Sequence, residues 1–134
     1  MPLGCTFEKG PKCPTLAEDI QLFGSDEMLL GGLCGGAHGA VGSTLNFAAP
    51  LYNRIIEAFE RRDLAEAQRL PGLSVQMVKQ LYRCRGQPAF KAMMKLVGVD
   101  CGPSRLPLIA LEPDEVTSLK KNNMERLDFL DGAR

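Results

Sequence analysis

The sequence holds a single histidine, His38, and its five cysteines, Cys5, Cys13, Cys34, Cys84 and Cys101, form no CxxC pair. Zinc sites need Cys and His ligands clustered at short spacing, so a zinc motif is excluded. The cysteines are expected to be free thiols, as in a reducing compartment. Sixteen basic and sixteen acidic residues cancel. Without a basic excess to neutralise phosphates, a nucleic-acid or acidic-membrane surface is not expected. No stretch approaches the roughly 20 apolar residues that cross a bilayer, and no apolar run follows a basic start. A cytoplasmic location is the expectation from these absences. The glycines between Gly31 and Gly42 lack both the Gly-x-Gly-x-x-Gly pattern after a strand and a Gly-Lys-Ser/Thr ending, which excludes a phosphate loop.

What is present fits an ordinary globular domain: 134 residues, 45% hydrophobic and 24% charged. Residues 1–19 carry three prolines and two glycines without periodicity and read as an irregular leader. Ile20 to Phe23 is a short apolar run closed by Gly24, and Ser25, Asp26 and Glu27 can cap a helix over 26–35. Gly31 and Gly32 in that helix suggest close packing against a neighbour, and Cys34 is expected to be buried beside them. Ala40 to Thr44 repeats the pattern of an apolar segment ending in small polar residues. Two such units around one helix predict a βαβ arrangement with parallel strands. Ligands of such folds sit beyond the carboxyl ends of the strands.

From Asn46 the periodicity becomes helical. Residues 46–62 place Leu51, Ile55, Ala58 and Phe59 on one face, with Pro50 in the first turn or at a kink. Asp63 caps a short helix through Leu70, Pro71-Gly72 breaks the chain, and Ser74 opens the next helix with Val75, Val78, Leu81 and Tyr82 at helical spacing. Further helices are expected over 89–96 and 112–129, joined by an irregular link in which Arg105 pairs with a carboxylate or carbonyls. Glu57 and Glu60 with Arg61 and Arg62 read as a solvated face. The expected organisation is therefore a leader (1–19), two strands with their helices (20–62) and a helical extension (63–134). Two parallel strands cannot cover both faces or satisfy both edges of a sheet.

The chemistry-bearing residues are Asp26 and Glu27 at one strand end and Ser43 and Thr44 at the next. Adjacent strands lie about 5 Å apart, so these groups converge. Carboxylates accept charge-assisted hydrogen bonds from sugar hydroxyls, and glycine amides donate, so a hydroxyl-rich ligand suits the cluster. Plain helix capping by Ser25, Asp26 and Glu27 explains the same residues. His38 lies on the loop entering the second strand, away from this end, and is not expected to act.

Gly24-Ser25-Asp26-Glu27 and Gly39-Ala40-Val41-Gly42-Ser43-Thr44-Leu45-Asn46 resemble the seventh and eighth strand ends of the dihydrodipicolinate synthase family of pyruvate aldolases. Asp63 to Leu70, Lys91 to Met94 and Gly102 to Leu108 resemble that family's helical C-terminal region. Within the family the Gly-Ser-Thr-x-Asn form is most similar to the sialic acid lyases, although Leu45 replaces a frequent aromatic. The resemblance implies an α/β fold: the last two strands of a TIM (β/α)8 barrel followed by a helical region, mostly α in this chain. It implies that Gly24, Asp26, Glu27, Gly42 and Ser43 contact the polyhydroxy tail of a sialic acid-type substrate, with no metal and no cofactor. It further implies a homo-oligomer, tetrameric in the family. The family's reaction uses a strand lysine as Schiff base, a tyrosine proton relay and a Ser/Thr carboxylate loop. Lys79, Lys91, Lys95, Lys120 and Lys121 fall in helices and Lys9 and Lys12 in the leader, so no lysine fits, and Tyr52 and Tyr82 read as packing residues. The chain is expected to be a truncated, inactive portion. Two alternatives stand: a sibling pyruvate aldolase acting on another oxo acid, or a non-catalytic helical module binding a partner through its open strand edge.

Overall fold

The computed structural model describes residues 20–122. The leader, with Cys5, Cys13, Lys9 and Lys12, and the end of the helix expected over 112–129, with Leu127, lie outside them. Strand β1 (Leu22–Phe23) leads through a 3-10 turn (Asp26–Met28) into α1 (Leu29–Cys34) and then to β2 (Gly39–Ala40). The strands pair in parallel with Leu22 opposite Gly39 and Phe23 opposite Ala40, the βαβ arrangement that the sequence predicts. Four helices follow: α2 (Leu45–Glu60), α3 (Leu64–Arg83), α4 (Gln87–Leu96) and α5 (Pro113–Lys120).

Gly32 shows why a glycine sits inside α1: a Cβ there would overlap the Phe23 ring. This close approach seats α1 on β1. Cys34 is exposed rather than buried. The buried residues of α1 are Leu29, Gly32 and Leu33, and at 100° per residue Cys34 falls away from that face.

Helix α2 buries Leu51, Ile55 and Ala58 as its periodicity predicts, with Phe59 packed at the edge. Pro50 acts through the kink: Ala48, two residues earlier, leaves the helical region at φ −119°. Asp63 caps α3 by accepting from the Glu66 amide at 3.1 Å. Glu66 also takes Arg69 at 2.7 Å and Arg54 of α2 at 3.1 Å, and these cations, Arg69 foremost, hold its carboxyl down to about 2.

The expected break at Pro71-Gly72 does not occur, because α3 runs through both residues. Its buried stripe, Ala67, Leu70, Ser74, Met77, Val78 and Leu81, keeps helical spacing across the proline. Burial of that stripe outweighs the local penalties, about 3 kcal/mol for proline and about 1 kcal/mol for glycine. Ser74 therefore sits in the helix interior, fully buried, and opens nothing. The core unites α1 to α5 around Leu29, Phe47, Leu51, Met77, Met93 and Leu119. The link before α5 is tied down by Lys91, whose ammonium donates to the carbonyls of Cys101 and Pro103, while the Arg105 side chain is exposed without a partner among the described residues.

A Cβ at Gly72 would meet nothing within 4 Å, and its backbone is helical. Gly72→Ala is predicted to stabilise the fold by about 0.5–1 kcal/mol through the restricted unfolded chain. Urea unfolding checks this; an unchanged or lower midpoint would contradict the continuous helix.

Candidate functional site

The two strands end on the same side, and the loops leaving them meet. Ser25 stands at the N-cap of the 3-10 turn but makes no side-chain cap bond. Asp26 does not cap its own turn either. Its Oδ2 reaches across to the second loop and accepts from the Thr44 amide at 2.7 Å and the Thr44 hydroxyl at 2.5 Å. Thr44 is the N-cap of α2, so Asp26 supplies a carboxylate to the N-terminus of a helix eighteen residues away in the chain. Negative charge is favoured there by the unpaired amides and the helix dipole.

Gly42 is explained by the same contact. A Cβ at that position would stand inside the Asp26 carboxylate, so only glycine lets the two loops close this far. Gly24 differs: its Cβ would meet only the Val41 carbonyl at 3.9 Å, an ordinary distance.

Behind Thr44 lies a buried chain of hydroxyls. Thr44 Oγ1 is 2.6 Å from the Tyr52 hydroxyl, which is 2.9 Å from Ser74 Oγ in α3. Tyr52 is 1% exposed, and burial pushes its phenol above the ordinary range, so it remains a neutral hydroxyl. It is a packing residue as expected, with a hydrogen-bonding role besides.

In front of Asp26 opens a cleft of about 230 Å³. All five residues singled out for ligand contact, Gly24, Asp26, Glu27, Gly42 and Ser43, line it on one side. Glu27 is half-buried and Ser43 exposed, and neither side chain has a hydrogen-bond partner among the described residues. The opposite wall comes from the helices through Val78, Tyr82, Gln87 and Phe90. Gly86, at φ +66°, allows the sharp turn that starts α4, and Phe90 meets Tyr82 edge-on at 5.9 Å. Tyr82 is 65% exposed, so its ring faces the cleft mouth more than the core.

His38 stays at the far end, where its Nδ1 accepts from the Gln21 amide at 3.1 Å. Cys84 is no candidate nucleophile, because burial and then the nearby Glu115 carboxylate push its thiol up. No metal-binding group of Cys, His, Asp or Glu exists among the described residues. A larger cavity of about 520 Å³ separates α4 from the link and α5, but both of its lysines are engaged: Lys91 with the link and Lys95 with Asp100 at 3.0 Å.

The sequence reading missed the helix wall and the buried pair Tyr52 and Ser74. A signal existed for the pair. Thr44, Ala48 and Tyr52 are spaced by four on one helix face, and Ser74 interrupts an apolar stripe, where a hydroxyl must find a partner.

The Dihydrodipicolinate synthetase family matches residues 13–125. The chain belongs to that family. Among its relatives, the N-acetylneuraminate lyase of Mus musculus is 40% identical over 111 residues, 81% of this chain and 34% of that protein. The Homo sapiens lyase is 39% identical over the same share. In structure, the N-acetylneuraminate lyase of Proteus mirabilis matches with a TM-score of 0.75 at 35% identity, covering 81% of this chain and 36% of that one. A 2-keto-3-deoxygluconate aldolase of Sulfolobus solfataricus, at 21% identity and a TM-score of 0.72, shares the fold. This family member thus spans about a third of the length of the curated relatives it matches. Its two parallel strands and the helices after them form part of the family's TIM-barrel fold, as expected, and this part is mostly helical. Among the described residues no helix is long and apolar enough to cross a membrane.

Gly42→Ala is predicted to destabilise the fold by about 1–3 kcal/mol, because the Cβ and the Asp26 carboxylate need the same space. Adding Asp26→Ala should recover part of that loss in a double-mutant cycle. Strictly additive losses in urea unfolding would refute the steric explanation.

Proposed function

We propose that this chain carries the sugar-tail half of a sialic acid lyase site and that it has no lyase activity alone. One observation supports the reading above others: Gly24, Asp26, Glu27, Gly42 and Ser43 line a single cleft at the carboxyl ends of two parallel strands. Glu27 and Asp26 would accept from the ligand's hydroxyls, Ser43 would donate or accept, and the amides of Gly24 and Gly42 would donate. Tyr82 would offer a ring face to the carbon chain.

The complete reaction of this type cleaves sialic acid to N-acetylmannosamine and pyruvate, with pyruvate held on a lysine as a Schiff base. Such a lysine needs a desolvated strand end that lowers its pKa. Lys79, Lys91, Lys95 and Lys120 all lie in helices, and Lys91 and Lys95 are tied to carbonyls and to Asp100. None of these four lysines stands at a strand end. The assignment to sialic acid over a smaller oxo acid and a homotetrameric state follow from the resemblance, and they belong to the same proposal, as does the cytoplasmic location expected from the sequence.

A second reading, a partner-binding module, is favoured by the sheet itself. Ile20, Leu22 and Val41 are 74%, 58% and 62% exposed beside strand edges that have no further strand among the described residues, surface that invites association. A stable monomer in sedimentation would count against it.

Incubation with pyruvate and borohydride is predicted to leave the mass of the chain unchanged. N-acetylneuraminic acid should raise its melting temperature while pyruvate does not. A reduced lysine adduct would overturn the inactivity, and equal shifts with both compounds would overturn the sugar-tail assignment.

A further inference from the structure

The direction of every proton in the buried hydroxyl chain is fixed by one group. An ionised carboxylate only accepts. Asp26 Oδ2 therefore receives the protons of the Thr44 amide and the Thr44 hydroxyl. Having donated its only proton, Thr44 Oγ1 accepts from Tyr52, and the Tyr52 oxygen accepts from Ser74. The three hydroxyls form one aligned array running from the middle of α3, through α2, to the loop after β1. Thr44, Tyr52 and Ser74 are at most 1% exposed, so bulk water cannot replace a lost member.

The array acts on one oxygen only. Asp26 Oδ1 packs against Gly42, in the space a Cβ there would take, and Asp26 lines the cleft while Tyr52 and Ser74 do not. We infer that Tyr52 and Ser74 are positioning residues: through Thr44 and Oδ2 they lock the orientation of the Asp26 carboxylate that lines the cleft. The inference rests on reading the cleft as a polyhydroxy-ligand site. It adds that ligand affinity is set partly by two side chains that never touch the ligand.

The test uses the full chain and two readouts, the amide resonances of Asp26, Gly42, Ser43 and Thr44 and the Kd for N-acetylneuraminic acid. Thr44→Ser keeps the hydroxyl and should match the wild type in both. Tyr52→Phe should stay folded by circular dichroism, move the Thr44 amide resonance upfield and weaken binding by about five- to tenfold, the range of a lost buried hydrogen bond. Thr44→Val should do so at least as strongly. Should Tyr52→Phe not fold, Ser74→Ala carries the same comparison with a smaller shift in the same direction. An unmoved Thr44 resonance with wild-type affinity in the folded variant, or a Thr44→Ser as damaging as Thr44→Val, overturns the inference. If the wild type does not bind N-acetylneuraminic acid yet the Thr44 resonance moves, the ligand reading fails while the lock on Asp26 holds.

Discussion

The Asp26 carboxylate, set against the N-terminus of α2, is the contact on which the rest of the site depends. The β1 loop and the β2 loop are brought together by one oxygen taking two protons from Thr44. Charge-assisted bonds of this kind are about twice as strong as neutral ones. Gly42 has no Cβ because the carboxylate fills that space, and Thr44, Tyr52 and Ser74 are buried hydroxyls because each needs the next as its partner. The strands themselves are only two residues each, so side chains more than ladder bonds fix how the loops meet.

That arrangement separates two roles that the sequence leaves merged. Asp26 and Glu27 are neighbours with the same charge, and capping or ligand contact explains both equally well on paper. In the structure Asp26 is tied by Oδ2 to the scaffold, whereas Glu27 has no partner among the described residues. The loops present a held carboxylate, a free one and a free hydroxyl to the same cleft, opposite a wall of helix residues. Among the described residues that line the cleft there is no lysine.

Much of this was legible because it is periodic or local. The parallel βαβ unit, the face of α2, the kink at Pro50, the Asp63 cap and the glycine packing at Gly32 all follow from spacing and residue type. The convergence of the five loop residues followed from strand geometry together with the family resemblance. The failures share a cause: a local signal was read without its tertiary context. Pro71-Gly72 looks like a break until the stripe from Ala67 to Leu81 is followed across it, and Ser74 looks like a cap for the same reason. Residue type alone puts Cys34 inside, against the phase of its helix, and pairs Arg105 where Lys91 does the tethering. The helix wall of the cleft is a long-range product of the α3–α4 turn and leaves no mark in the loops.

Hydrogen exchange at the Thr44 amide tests the central claim most directly, with wild type compared to Asp26→Ala. If the carboxylate is what closes the two loops, the amide is strongly protected in the wild type and loses about ten- to a hundredfold of that protection in the variant, the range of a lost charged hydrogen bond. Amides of the α2 interior such as Ile55 keep theirs. Equal protection at Thr44 in both proteins would contradict the account.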